Sequence, residues 1–320
     1  MESSVLEPNP LAPFLETQRA VILDGGLATE LEAHGFDLND DLWSAKVLIE
    51  QPGSIRSVHL DYLLAGADCL ASASYQATIE GFVQRGLAED EAGKLLRRSV
   101  DLAFEARAEF WSDPENRVAR LKPLVAASIG PYGAYLADGS EFRGDYGLND
   151  DALVEFHRTR WRLLASSAAD LLACETIPSR HEARALRRLL EETPDTQAWF
   201  SFSCQDEQRL SDGSRLAKVI AELDDCQQIL AIGVNCTAPR HISGLIRAAS
   251  GATSKPIVVY PNAGEGWDAT EKRWTPVDRD SPTLVGSCRE WVDLGARLIG
   301  GCCRTSPDDI RQVRQKVLGS

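Results

Sequence analysis

Short apolar runs alternate with longer amphipathic stretches along nearly the whole chain. The runs fall at residues 20–23, 67–73, 123–129, 170–174, 198–203, 229–234, 256–260 and 296–300, each bounded by Gly, Asp, Asn or Pro. A strand covered on both faces reads this way, because neither side of its pleat meets water. Between the runs, apolar residues recur at helical spacing. Ile55, Val58, Tyr62 and Leu63 share a face before the second run, and Leu153, Phe156, Trp161 and Leu164 before the fourth. Ala183, Leu186 and Leu190 precede the fifth, and Leu216, Val219, Ile220 and Leu223 the sixth. Ile242, Leu245 and Ile246 come next, then Leu284, Cys288 and Trp291, with Ile310, Val313 and Val317 last.

Eight strands alternating with helices predict parallel βα units, and eight such units close into a single (β/α)8 TIM barrel. The competing arrangement is an open doubly wound sheet, but no Gly-x-Gly-x-x-Gly turn follows the first run. One domain over residues 1–320 is expected, with residues 1 to about 18 as an N-terminal extension. The longest irregular stretch, residues 130–149, is rich in Gly, Tyr and Asp. In a barrel it emerges on the catalytic face, and its aromatics predict order.

The hydrophobic fraction of 43% suits a full globular core. No apolar run approaches the ~18 residues of a membrane span, and the N-terminus lacks a secretory pattern, so a cytoplasmic protein is expected. A net charge of -14 disfavours nucleic acid and anionic membranes as partners.

Eight cysteines in a chain of this kind point to metal or catalysis for those that cluster, and to plain burial for the rest. Barrel active sites lie at the C-terminal ends of strands. Cys236 follows the sixth run, and Cys302 and Cys303 follow the eighth. Ser306 as N-cap, Pro307 at the first helical position and the acids Asp308 and Asp309 then open a helix. Three thiols thus meet on one rim. Three sulfur ligands with an open fourth position suit one catalytic Zn2+ per chain. The alternatives are packing residues or a vicinal disulfide.

Acids end two other strands. Asp24 precedes Gly25 and Gly26, where a ligand can approach the backbone and a helix start can meet a carboxylate. It holds a ligand ammonium or serves as a turn acid. Glu175 ends the fourth run, where an unpaired carboxylate is costly to bury. It binds a ligand ammonium or pairs with Arg180. Together these residues suggest an amino-acid thiol: acids for its ammonium, a helix start for its carboxylate, a metal for its sulfur. The five histidines, His34, His59, His157, His181 and His241, are expected on helices or helix starts, and none is assigned to catalysis.

Asp24-Gly25-Gly26, Gly233-Val234-Asn235-Cys236 and Gly300-Gly301-Cys302-Cys303 resemble the signature of the homocysteine S-methyltransferase family, over residues 21 to about 313. Leu42-Trp43-Ser44-Ala45, Ser74-Tyr75-Gln76-Ala77-Thr78, residues 128–147 and Tyr260-Pro261-Asn262-Ala263-Gly264-Glu265 resemble its bacterial branch that uses S-methylmethionine or S-adenosylmethionine. The resemblance implies zinc on Cys236, Cys302 and Cys303, and homocysteine held by Asp24 and Glu175. Ser72 stands where the family has a threonine, with the hydroxyl kept. Tyr75, Tyr132, Tyr135 and Trp267 either face the sulfonium donor by cation–π attraction or pack. Methionine synthases of the family carry folate and cobalamin modules that 320 residues leave no room for. Betaine-dependent members carry a C-terminal dimerisation segment not seen here, so a monomer is expected. Two rivals remain: a betaine-dependent enzyme, and a zinc- or thiol-binding barrel without turnover.

Overall fold

A parallel strand cannot return to its neighbour by a hairpin, so every barrel strand here is followed by a helix crossing the outside. The computed structural model describes residues 8–37, 44–264, 266–268, 273–275 and 281–319. It opens with α1 (Ala12–Thr17), β1 (Val21–Ile22), α2 (Leu27–Ala33), α3 (Ser44–Glu50), α4 (Pro52–Ala65) and β2 (Cys69–Ala71). Next come α5 (Ile79–Gln84), α6 (Glu89–Ser112), β3 (Leu124–Ile129), α7 (Tyr132–Leu136), α8 (Asp150–Ala165) and β4 (Leu171–Ile177). The chain continues through α9 (Arg180–Glu191), β5 (Ala198–Phe202), α10 (Leu216–Leu223), β6 (Ile229–Asn235), α11 (Pro239–Ser250) and β7 (Ile257–Tyr260). A short antiparallel pair, β8 (Gly266–Asp268) and β9 (Arg273–Thr275), precedes α12 (Leu284–Asp293), β10 (Ala296–Ile299) and α13 (Pro307–Leu318).

The main sheet has eight parallel strands in the order β1-β10-β7-β6-β5-β4-β3-β2. A parallel bridge between Leu23 and Cys69 brings its two edges together. Across the same seam the Asp24 amide donates to the Cys69 carbonyl at 3.1 Å, and the Asp68 amide to Ile22 at 2.6 Å. The sheet is therefore closed, as the alternation predicts, and no open doubly wound edge is left. β3 through β7 are buried along their entire length.

Two apolar layers follow from the pleat. Side chains pointing outward, such as Ile22, Val125, Leu172 and Ile232, pack under the helices with Ile55, Leu186, Val219 and Ile310. Those pointing inward, such as Val21, Ala126, Ala173, Trp199 and Leu298, fill the barrel. Leu11 and Phe14 of α1 belong to this inner layer. The described part of the N-terminal extension is thus a plug in the floor of the barrel, tied in by its own core residues.

The expected helical faces are buried as read, except Phe156, which is only half-buried. Residues 130–149 are ordered as expected and mostly irregular, with two short helical pieces inside them. These are α7 and a 3-10 turn at Ser140–Phe142, and Tyr132 and Tyr135 pack on Phe156. Ser306 caps α13 as read, accepting from the Asp309 amide while Asp309 bonds back to Ser306. Among the described residues, no helix is long and apolar enough to cross a membrane.

Candidate active site

Two strand ends bring the thiols together. Cys236 leaves β6 with its amide donating to the Tyr260 carbonyl at 3.0 Å, and the Cys302 amide, beyond β10, donates to Pro261 at 2.8 Å. Both turns are thereby tied to the end of β7, which lies between those strands. The sulfurs of Cys236 and Cys303 are 3.6 Å apart, and those of Cys236, Cys302 and Cys303 all lie within 4.8 Å of one another. All three are free thiols, far beyond the ~2.05 Å of a disulfide, so the vicinal-disulfide alternative is not what forms.

Cys236, Thr176 and Arg304 adopt left-handed backbone angles, with φ of 44°, 58° and 65°. Such angles cost of order 1–3 kcal/mol each and persist where the surroundings enforce them. Here the enforcing contacts are visible. Asn235 accepts from the Thr176 amide and donates to the Thr176 hydroxyl, both at 2.7 Å, and its side-chain nitrogen lies 4.0 Å from Cys302 Sγ. The Arg304 amide donates to the Thr29 hydroxyl at 2.8 Å.

Glycines let the backbones meet. A Cβ on Gly26 would sit 2.7 Å from the Cys302 carbonyl, and one on Gly300 2.6 Å from Leu23 Cβ. The Gly26 amide donates to Thr305, so its hydrogen bond is spent within the protein. Gly25 packs against the Tyr62 ring.

The carboxylates sit in the same basin. Asp24 is buried, and its Oδ2 accepts from the Ala71 amide at 2.8 Å. Burial raises its carboxyl well above the usual range, opposed by that amide and reinforced by the charge of Glu175. Glu175 lies inside β4 rather than at its end, because β4 runs on to Ile177. The pairing with β5 shifts register between Cys174 and Ile177, an irregularity of the kind that re-aims a side chain. The Glu175 carboxylate accepts from the hydroxyls of Ser128 and Tyr260. Burial, then the nearby Cys302, pushes it up to about 7. Arg180 pairs instead with Glu222, so the internal salt bridge weighed for Glu175 is not made. Among the described residues neither Asp24 nor Glu175 has an ion pair.

The thiols show the same shortage of positive charge. Hydrogen bonds with Cys236 and then Cys302 hold the Cys303 thiol well below its usual range, while those with Cys302 and then Cys303 push Cys236 well above. Three sulfurs this close cannot all ionise unless a cation joins them. Three sulfurs at ~2.3 Å on a tetrahedral ion would stand ~3.8 Å apart, close to the Cys236–Cys303 spacing, so the donor set fits zinc in number, chemistry and size.

Ser72 belongs to the shell behind Glu175. Its hydroxyl accepts from the Ser128 amide at 3.1 Å and lies 2.7 Å from the Ser74 hydroxyl, which pairs with the Ser128 carbonyl. Tyr75 bonds the Thr176 side chain and feels the charges of Cys236 and Cys302. Tyr132 and Tyr135 join an aromatic cluster with Tyr146 and Phe156, and Tyr135 also receives a bond from Gln84. Trp267 lies in β8, but its side chain is outside the described residues, as are Leu42, Trp43 and Glu265.

Sequence reasoning did not select Ser128, Thr176, Asn235 or Tyr260 as site residues. Tyr260, Asn235 and Ser128 stand at strand ends or among the family-like stretches, which was the available signal. Thr176 gave none.

The comparisons agree with this geometry. A family model described as "Homocysteine S-methyltransferase" matches residues 21–317. The chain is 53% identical to the homocysteine S-methyltransferase YbgG of Bacillus subtilis (strain 168), over 95% of this chain and 96% of that one. It is 47% identical to the selenocysteine methyltransferase of Astragalus bisulcatus, over 94% and 93%. The metallated form of the Escherichia coli homocysteine methyltransferase MmuM superposes with a TM-score of 0.86 at 47% identity, covering 96% of this chain and 100% of that one. Thiols, acids, closed barrel and near full-length similarity lead to one assignment: this chain belongs to the homocysteine S-methyltransferase family.

Proposed function

We propose that this protein transfers a methyl group from a sulfonium donor to the thiol of L-homocysteine, yielding methionine, with one zinc ion per chain held by Cys236, Cys302 and Cys303. The observation that carries the reading is the pairing of three clustered thiols with two buried carboxylates, Asp24 and Glu175, that lack a cation. When bound, zinc lowers the pKa of a coordinated substrate thiol so that it reacts as a thiolate at neutral pH.

The chain's own groups do the rest. Asp24 and Glu175 receive the homocysteine ammonium, and the Gly25-Gly26 turn, next to Asp24, borders its amino-acid end. Ser128, backed by Ser72 and Ser74, and Tyr260 hold Glu175 in place. Tyr75 is the candidate of the four aromatics for the donor's sulfonium face, being near the thiols; Tyr132, Tyr135 and Trp267 remain further candidates. In the transfer, the homocysteine sulfur forms a bond to the donor methyl while the methyl–sulfonium bond breaks and its pair returns to the leaving sulfur. The thiol proton goes to solvent. Anionic nucleophile and cationic donor neutralise each other, so a site that excludes water favours the step.

The small-molecule partners are therefore homocysteine and a sulfonium donor, S-methylmethionine or S-adenosylmethionine, and a cytoplasmic monomer is the form proposed. Relatives named for selenocysteine at similar identity favour a second acceptor, a selenol bound in the same way. The test is methionine formation from homocysteine with S-methylmethionine, S-adenosylmethionine or betaine, each with and without a zinc chelator. Chelator-sensitive turnover with a sulfonium donor is expected. Turnover with betaine alone would overturn the donor, and no turnover by folded, zinc-loaded protein would overturn the activity.

A further inference from the structure

The loop after β3 carries an acid that the scheme above leaves unused. Glu141 lies in the 3-10 turn Ser140–Phe142 and is half-buried. Its Oε2 is sealed from solvent and has no hydrogen-bond partner among the described residues. The turn is held firmly. The Glu141 carbonyl accepts from the Ser203 hydroxyl at 2.9 Å, and the backbone of Gly133 approaches so closely that a Cβ there would lie 2.3 Å from the Glu141 amide. Its backbone is therefore clamped on both sides.

Its loop stands at the C-terminal ends of the strands, the rim that carries the thiols: Ser203, which holds the Glu141 carbonyl, directly follows β5, and Gly130 at the start of the loop donates its amide to the Tyr75 carbonyl at 3.2 Å. Arg143, on the same loop, is paired with Asp138 and Asp145. A carboxylate oxygen buried without a donor among the described residues is costly unless a ligand supplies the missing N–H. Within the proposed reaction, the homocysteine ammonium is already claimed by Asp24 and Glu175. The donor brings the remaining N–H groups, because both sulfonium donors carry an α-ammonium. A sulfonium itself has no N–H to give.

We propose that Glu141 recognises the α-ammonium of the methyl donor, and so makes this site select sulfonium donors that are also amino acids. This rests on the sulfonium-dependent reading above. It gives the second substrate its own acid, on the loop after β3, separate from the two acids that hold the first.

The experiment compares two donors with homocysteine as acceptor: S-methylmethionine, and 4-(dimethylsulfonio)butanoate, which is the same molecule without the ammonium. In the wild-type protein the KM of the des-amino donor should exceed that of S-methylmethionine by about tenfold to a hundredfold, the usual range for a hydrogen bond to a charged group. Glu141→Gln should raise the KM of S-methylmethionine by a similar factor, leave that of the des-amino donor unchanged, and leave the homocysteine KM and the zinc content as they were. Equal KM values in the wild type, or a Gln variant that raises both donors alike or neither, would overturn the role of Glu141. If the Gln variant does not fold, Glu141→Asp serves in its place: it should raise the KM of S-methylmethionine and not that of the des-amino donor, and equal changes in both would overturn the role of Glu141. A wild-type protein that uses neither sulfonium donor would instead sink the reading beneath it, and the role of Glu141 with it.

Discussion

Glu175 is a carboxylate buried beside a thiol cluster, and burial pushes it up to about 7. The direction fixes a pH dependence. In the free protein the folded state holds this proton more tightly than the unfolded state does. The group's contribution to stability is therefore fully present below about pH 4.5 and is lost as pH rises through about 7. An arriving ammonium needs the ionised form, so homocysteine binding should weaken as pH falls below about 7, with a proton released on binding. Calorimetric affinities for homocysteine and 4-mercaptobutanoate across pH separate this from thiol ionisation, since only the amine-bearing ligand should show the Glu175 step. Glu175→Gln should cost homocysteine about 1.5–3 kcal/mol of affinity, roughly tenfold to 150-fold, and spare 4-mercaptobutanoate. Equal losses for both ligands would mean the carboxylate only shapes the pocket. At this scale the sequence displayed the ligand atoms but not their company. Cys236, Cys302, Cys303, Asp24 and Glu175 announce themselves by residue type at strand ends. Ser128, Tyr260 and Thr176 act through hydrogen bonds that exist only once the barrel closes.

Individual elements carry tight backbone approaches that the site depends on. Gly233 of β6 faces β7, and a Cβ there would lie 2.0 Å from the Val258 carbonyl oxygen. That oxygen is part of the strand backbone and cannot step aside. Gly233→Ala should therefore spread β6 from β7, costing about 1–3 kcal/mol and lowering the melting temperature by several degrees. It should also loosen metal binding, because both thiol turns hang from the end of β7. An unchanged melting temperature would mean the two strands have slack. The elements most legible in the sequence are those with the simplest environments. Strands buried on both faces read as continuous apolar runs, and α10, α11 and α13 read as clean stripes. The 24-residue α6 was not read as a face. Its buried side includes Ala92, Gly93, Ser99, Ala103 and Ala106, small residues that show little apolar contrast. The extra length of β4 was equally hidden, since Glu175 and Thr176 look like a strand's end until a register shift carries the pairing past them.

The whole molecule is strongly anionic, with a net charge of -14, and its barrel mouth repeats that character in miniature: three thiols with Asp24 and Glu175 nearby. In the function proposed above, cations fill this basin: a metal and the charged ends of the substrates. The barrel beneath it is sealed at the opposite end by α1, where Phe14 is almost fully buried in the inner layer. Phe14→Ala should cost about 3–5 kcal/mol of stability while leaving homocysteine affinity intact at low temperature, as denaturant melts and calorimetry would reveal. A loss of affinity matching the loss of stability would mean floor and mouth are coupled. The central claim, that homocysteine is methylated at a metal held by Cys236, Cys302 and Cys303, is tested most directly by titrating metal-free protein with zinc and following methionine formation from homocysteine and S-methylmethionine. The account predicts a rate that starts at zero, rises in proportion to bound zinc and levels off at one ion per chain. Turnover in the metal-free protein, or none at full occupancy, would contradict it.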